Sequence, residues 1–249
     1  MKLINNTLHR PFPLPSKNWI MRQTWRDLLF IHWPIPSEKL RKHIPASLEI
    51  DTFNGSAWLG IIVFVMDGIY PRGLPNISIL PKFQEINVRT YVKCNGESGI
   101  YFLSLDVCDW ASYTIAKRWL RLPYHSAQIS IEKQGQSFHF ESIRKRKAKN
   151  EITIDGIYKP LEEVYLPKEG TLDHFLTERY CFFSSNNGSN IYCLEIHHQP
   201  WQLQKTEIEI YKNTLFTPFN FDVSKVTPIS HFSKGTDSLI WNIKKIGVI

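Results

Sequence analysis

The chain has 249 residues, 43% apolar and 13% aromatic, a composition that excludes disorder and supports a large buried core. Its longest strongly apolar run, WLGIIVFVM at 58–66, is too short to cross a bilayer, which needs roughly 20 residues. No signal-type apolar stretch opens the chain, so a cytoplasmic protein without a membrane partner is expected.

Pro11, Pro13 and Pro15 keep the start extended. TWRDLLFIHWPIP then reads as a strand or short helix halted at Pro34 and Pro36. SEKLRKHIP reads as a short helix with Ser37 as N-cap and Pro45 as its stop. LEIDTFNGSAWLGIIVFVM reads as a hairpin, because Asn54-Gly55 is a strong two-residue turn signal before a nearly all-apolar strand. Residues 66–82 hold three prolines and two glycines and read as a loop, long enough to be a functional flap. FQEINVRTYV (83–92) and GIYFLSLDV (99–107) are strands with Asn95-Gly96 in the turn between them. DWASYTIAKRWLRLPY (109–124) reads as a helix capped by Asp109 and ended by Pro123. Short strands follow between 127 and 165, Thr171 caps a brief helix, LDHFLTERY, and further strands run to the end. The pattern is α+β, a mostly antiparallel sheet that curls or closes, with few short helices. No repeat, low-complexity segment or linker divides it, so a single domain over 1–249 is expected.

Part of the +7 net charge is local, since IRKRKAKN (143–150) puts five basic residues in eight positions. No aromatic interleaving or nucleic-acid motif accompanies it. It reads as the solvated tip of a hairpin between SFHFESI and EITIDGIY, and no nucleic-acid partner is expected. Cys94, Cys108, Cys181 and Cys193 contain no C-x-x-C pair and read as separate reduced thiols. His197 and His198 lack a cysteine pair or an H-E-x-x-H pattern, so neither a metal nor another cofactor is expected.

The strand FQEINVRTYV raises the functional question. Alternation puts Ile86, Val88, Thr90 and Val92 on one face and Phe83, Glu85, Asn87, Arg89 and Tyr91 on the other. Glu85 and Arg89 are four residues apart, roughly 13–14 Å between Cα atoms, too far for a close ion pair. Buried dry and unpaired, each charge carries a large desolvation cost. The face therefore opens to solvent or lines a polar cavity. On the next strand Ile100, Phe102, Ser104 and Asp106 share a face, again rings with isolated polar groups, the composition of a ligand pocket.

At LRKHIPASLEID (40–51) and FQEINVRTYV the chain resembles the YqjF-like family of uncharacterised bacterial proteins, grouped with the acetoacetate decarboxylase-like superfamily. HWPIP (32–36), DTFNGSAWLG (51–60), YFLSLD (101–106), LPY (122–124), LTERY (176–180) and HHQPW (197–201) carry the same resemblance. It implies a largely antiparallel, barrel-like sheet around an internal cavity. Decarboxylases of that superfamily use a Schiff-base lysine beside a second lysine, with glutamates and an arginine around them. The resemblance puts the arginine on Arg26, one glutamate on Glu85 and the other near Gly60, which has no side chain. The lysine pair falls on Tyr124 and His125, neither of which forms an imine, and Lys117 lies about two helical turns earlier. Schiff-base decarboxylation is therefore not expected.

The candidate site residues follow. His125 suits general acid–base work, Tyr124 can donate to a developing oxyanion, and Glu85 can orient His125 or balance Arg89. Arg89 and Arg26 suit a ligand carboxylate or phosphate, with Asn87 as a further ligand-binding candidate, or else pair with structural acids such as Asp51 or Asp106. Trp33, Trp110, Trp119 and Trp201 read as core, Arg179 as a favourable charge at a helix C-terminus, and Glu162 and Glu163 as a solvated face. The expected function is an internal pocket for a small anionic molecule such as a carboxylate, with non-Schiff-base acid–base chemistry as the form of any turnover. The alternatives are a non-enzymatic binding or sensing module and, ranked lower, an interaction protein using the basic loop. Ligand identity and any homo-oligomer are left open.

Overall fold

A computed structural model describes residues 3–75, 77–108, 122–145, 151–186 and 190–248. Their strands are β1 (Met21–Ile35), β2 (Glu49–Ile50), β3 (Ala57–Pro71), β4 (Phe83–Cys94), β5 (Glu97–Val107), β6 (Tyr124–Ser126), β7 (Gln128–Gln134), β8 (Ser137–Arg144), β9 (Ile152–Pro160), β10 (Cys181–Asn186), β11 (Asn190–His198), β12 (Gln204–Asn213), β13 (Ile229–Ile240) and β14 (Lys244–Val248). Two short helices, α1 (Ser37–Arg41) and α2 (Leu172–Thr177), complete the regular α-structure among the described residues. None of the described helices is long and apolar enough to cross a membrane.

The strands form one sheet in the order β14-β11-β10-β5-β4-β3-β1-β13-β12-β9-β8-β7, with β2 beside β4 and β6 beside β5. Most pairs are antiparallel, but β5 runs parallel to both β6 and β10, so the sheet is mixed. It curls until β11, already paired with β10, also pairs with β13 through Ile196↔Ile240 and His198↔Ser238. Both faces of the curled part are buried. Leu29, Ile31, Ile61, Val63, Ile86 and Val88 pack on the side covered by Phe140, Tyr158 and Phe232. Trp25, Phe30, Ile62, Phe64, Phe102 and Trp201 pack on the other, concave side.

Local chemistry explains most boundaries. Asn54 and Gly55 (φ 49° and 80°) and Asn95 and Gly96 (φ 51° and 81°) take the left-handed conformations that a type I′ turn requires. The second pair joins β4 to β5 directly, with Cys94 opposite Glu97. The first closes only a Phe53↔Ser56 bridge, because β2 pairs with β4 rather than β3. Thr171 caps α2 by accepting from the His174 amide, as expected. Ser37 does not cap α1; it is the first helical residue, after Pro36.

Four further expectations are corrected or limited. Residues 66–71 continue β3, so the loop between β3 and β4 is shorter than 66–82. Cys181 and Cys193 are bonded to each other across β10 and β11, leaving Cys94 and Cys108 free. The residues that pair β8 with β9 do join as a hairpin, but Arg144 is buried against Asp106 and does not belong to a solvated tip. Residues 146–150 and, of the helix expected over 109–124, residues 109–121 with Trp110, Lys117 and Trp119 lie outside the described residues; Leu122 and Pro123 are not helical and Tyr124 opens β6.

Candidate functional site

The face that carries Glu85, Asn87, Arg89 and Tyr91 is not in water. All four are buried, and the first three line a cavity of about 90 Å³ on the concave side of the sheet. That space amounts to roughly six water-sized volumes, enough for a small organic molecule. β1, β3, β4, β5, β10, β11 and β13 supply most of the wall, and Leu122, Tyr124 from β6, Thr177 from α2, Arg179 and Trp201 complete it.

Two β-bulges decide which side chains reach the cavity. On β1 the register shifts between Arg26 and Leu29, where Asp27 has φ 51°. Trp25 and Leu28 consequently both face the cavity, and Arg26 turns away. Arg26 is half exposed, 3.9 Å from both Asp67 and Asp237. On β5 the pairing jumps from Val88↔Ser104 to Arg89↔Phe102, leaving Leu103 extra. Phe102 and Leu105 therefore share the concave side, while Ser104 and Asp106 turn to the opposite side, where Asp106 pairs with Arg144.

β6 is regular, so its adjacent residues point in opposite directions. Tyr124 faces the cavity and His125 is exposed on the other side, which removes His125 from any direct role there. Glu85 instead meets Tyr124, whose hydroxyl donates over a long 3.4 Å to its carboxyl, and Asn87, which also hydrogen-bonds to it. Burial pushes the Glu85 carboxyl up to about 8, against those two hydrogen bonds and with help from the charge of Asp106. Burial and the neighbouring Glu85 likewise hold the Tyr124 phenol well above its ordinary range. Both groups keep their protons at neutral pH. The Asn87 Oδ1 has no partner among the described residues.

Arg89 is 6% exposed, and no carboxylate among the described residues pairs with it. Its Nη2 donates to the Leu176 carbonyl (3.2 Å) and the Tyr91 hydroxyl (3.4 Å), and its Nε has no partner. The two acids proposed for it are engaged elsewhere, Asp106 by Arg144 and Asp51 by Arg179 and Lys93.

Several further residues meet at this cavity or beside it. Arg179 does serve the end of α2, its Nε donating to the Phe175 carbonyl at 2.8 Å, but it is also buried: it lines the cavity, pairs with Asp51 at 2.6 Å and lies over Phe175. Tyr91 donates to Leu176 O (2.7 Å), and its hydroxyl is 2.7 Å from His32 Nε2. The phenol has one proton, so His32 must donate from Nε2 and keep Nδ1 bare. Burial and the Arg89 charge hold His32 well below its ordinary range, in agreement with that neutral tautomer. His198 and Trp201 line the cavity on the β11 side. Trp201 is therefore both core and cavity wall, whereas Trp33 packs on the opposite face. Glu162 and Glu163 are exposed, as expected. No lysine lines the cavity among the described residues, and no group of three or more metal-ligating side chains occurs there.

The fold is that of the acetoacetate decarboxylase-like proteins. The chain superposes on the acetoacetate decarboxylase of Legionella pneumophila with a TM-score of 0.63 at 14% identity, covering 99% of this chain and 96% of that one. It superposes on the enduracididine biosynthesis enzyme MppR complexed with pyruvate with a TM-score of 0.63 at 8% identity, covering 98% and 95%. Residues 22–237 match the DUF2071 family, described as an uncharacterized conserved protein, and the chain belongs to that family. It is 38% identical over 232 residues to the uncharacterized protein YqjF of Bacillus subtilis, covering 93% of this chain and 95% of that one.

Proposed function

We propose that the concave cavity binds a small organic anion through Arg89. The observation that carries this is a guanidinium buried in a mostly apolar wall, its Nε bare and no carboxylate paired with it among the described residues. Burying an unpaired charge costs several kcal/mol, and a bound anion supplies the missing partner. Arg179 stands on the same wall but is already neutralised by Asp51. That a distant fold neighbour is known in complex with pyruvate is in keeping with a small carboxylate as ligand.

Any turnover is expected to run without an imine, because no lysine lines the cavity among the described residues. Glu85 and Tyr124 form a proton-holding pair, suited to donating toward a carbonyl or hydroxyl oxygen of the ligand. The same observation favours a second reading, a binding or sensing module, since neither member of the pair is a base at neutral pH.

Thermal unfolding against a panel of small carboxylic acids tests the binding reading. A ligand at a hundred times its Kd adds about 2.7 kcal/mol, a rise of roughly 5–10 °C for a chain of this size. The expected result is a rise that Arg89→Met abolishes; no rise with any acid overturns the proposal. Proton NMR of each stabilising acid incubated with the protein then separates turnover from binding alone.

A further inference from the structure

From the charges and the unpaired atoms of the wall, and resting on the anion-binding reading above, we infer that the ligand is a hydroxy monocarboxylate with a short apolar body. The cavity contains one uncompensated charge. Arg89 faces Gly60 on β3 and Phe102 on β5, so neither neighbouring strand offers it an acid at its own level. Arg179 is matched by Asp51. One cation calls for one negative charge, and a second carboxylate on the ligand would itself be buried unpaired.

The second requirement comes from Asn87, two residues from Arg89 on the same face of β4. Its amide hydrogen-bonds to Glu85, and its Oδ1 is a buried acceptor with no partner among the described residues. A buried acceptor of this kind is satisfied by an O–H or N–H from the ligand. An ammonium is the poorer choice, since Glu85 is protonated and no free carboxylate remains to balance it. A hydroxyl donates to Asn87 Oδ1 without adding charge, and it accepts in return from the Glu85 carboxyl. Apart from Gln23, Thr177, Arg179 and His198, the remaining wall, including Trp25, Phe30, Phe64 and Trp201, is apolar and suits a hydrocarbon body. A cavity of about 90 Å³ suits a small acid, and a five-carbon set is a fitting probe.

Isothermal titration calorimetry with a matched five-carbon set tests this: pentanoate, 3-hydroxypentanoate, 4-hydroxypentanoate, 4-oxopentanoate and glutarate. One of the hydroxy acids is expected to bind at least tenfold more tightly than pentanoate and 4-oxopentanoate, and glutarate least of all. Asn87→Leu is expected to bring the hydroxy acid to within about twofold of pentanoate while pentanoate binding survives. Equal or tighter binding of pentanoate, 4-oxopentanoate or glutarate, abolished by Arg89→Met, overturns the hydroxy-acid inference and leaves the anion site standing. Failure of all five acids to bind overturns both. The comparison within the wild-type protein does not depend on whether Asn87→Leu folds.

Discussion

Gly60 on β3 stands directly across from Arg89 on β4, so close that a Cβ on Gly60 would lie 3.2 Å from Arg89 Cγ. It would lie 3.1 Å from His32 Cδ2 as well, because His32 on β1 is the opposite neighbour of Gly60. The three residues form a row across β1, β3 and β4. The empty middle position lets a buried imidazole and a buried guanidinium approach, and it leaves the guanidinium without an acid. Gly60→Ala should crowd both side chains and cost about 1–3 kcal/mol, the usual range for overpacking. Urea denaturation at neutral pH checks this; an unchanged midpoint would mean that His32 and Arg89 yield freely.

The cavity's electrostatics should appear in the pH dependence of stability. Glu85 has its carboxyl raised from 4.5 to about 8, so between those values the folded protein holds a proton that the unfolded chain releases. Stability contributed by this group is full below about 4.5 and is lost as pH rises through 8. In Glu85→Gln that loss disappears. The variant's stability relative to wild type should therefore climb between pH 5 and pH 8, by on the order of 4 kcal/mol, and then level off. A difference independent of pH would show that Glu85 is ionised in the folded protein.

The buried histidines have the opposite sign. Burial holds His32 and His198 below their ordinary 6.5, and His197 falls to about 4. The stability of their neutral forms is present above 6.5 and is lost as pH falls toward the folded values. Glu85→Gln, freed of the opposing carboxyl, should lose stability from pH 7 to pH 5 more steeply than wild type. Parallel denaturation curves at the two pH values would contradict this.

Asp51 joins the β2 region to the chain after α2 by pairing with Arg179 at 2.6 Å and Lys93 at 3.0 Å. Asp51→Asn leaves the buried Arg179 without its counter-ion. A loss of about 3–5 kcal/mol is expected, as for other broken buried pairs, and guanidinium unfolding measures it. A loss under 1 kcal/mol would indicate that water reaches the pair.

Much of this was legible in the residues. The turn pairs Asn54-Gly55 and Asn95-Gly96, the cap at Thr171 and the two faces of β4 all follow from local chemistry and alternation. What alternation could not show is that both faces of β4 are covered. The covering strands, β8, β9 and β13 on one side and β10 and β11 on the other, lie far away in sequence. The bulges at Asp27 and Leu103 also leave no reliable mark in a single sequence, and each turned an expected residue away, Arg26 on β1 and Ser104 with Asp106 on β5. His125 failed for a plainer reason, since it sits one position from Tyr124 on a strand. The blocks HWPIP, LTERY and HHQPW held the residues that were passed over, His32, Arg179 and His198. Their convergence is a product of the curled sheet, not of spacing along the chain.

On the proposed reading, Arg89 is kept buried and unpaired for a ligand. Equilibrium unfolding of wild type and Arg89→Met, each with and without a stabilising acid, measures this most directly. Replacing an uncompensated buried cation with an apolar chain of similar length should leave the ligand-free protein as stable as wild type or more so, by up to about 4 kcal/mol. The acid should then stabilise wild type alone. A ligand-free variant weakened by about 3–5 kcal/mol, the loss expected for a structural ion, would contradict the claim.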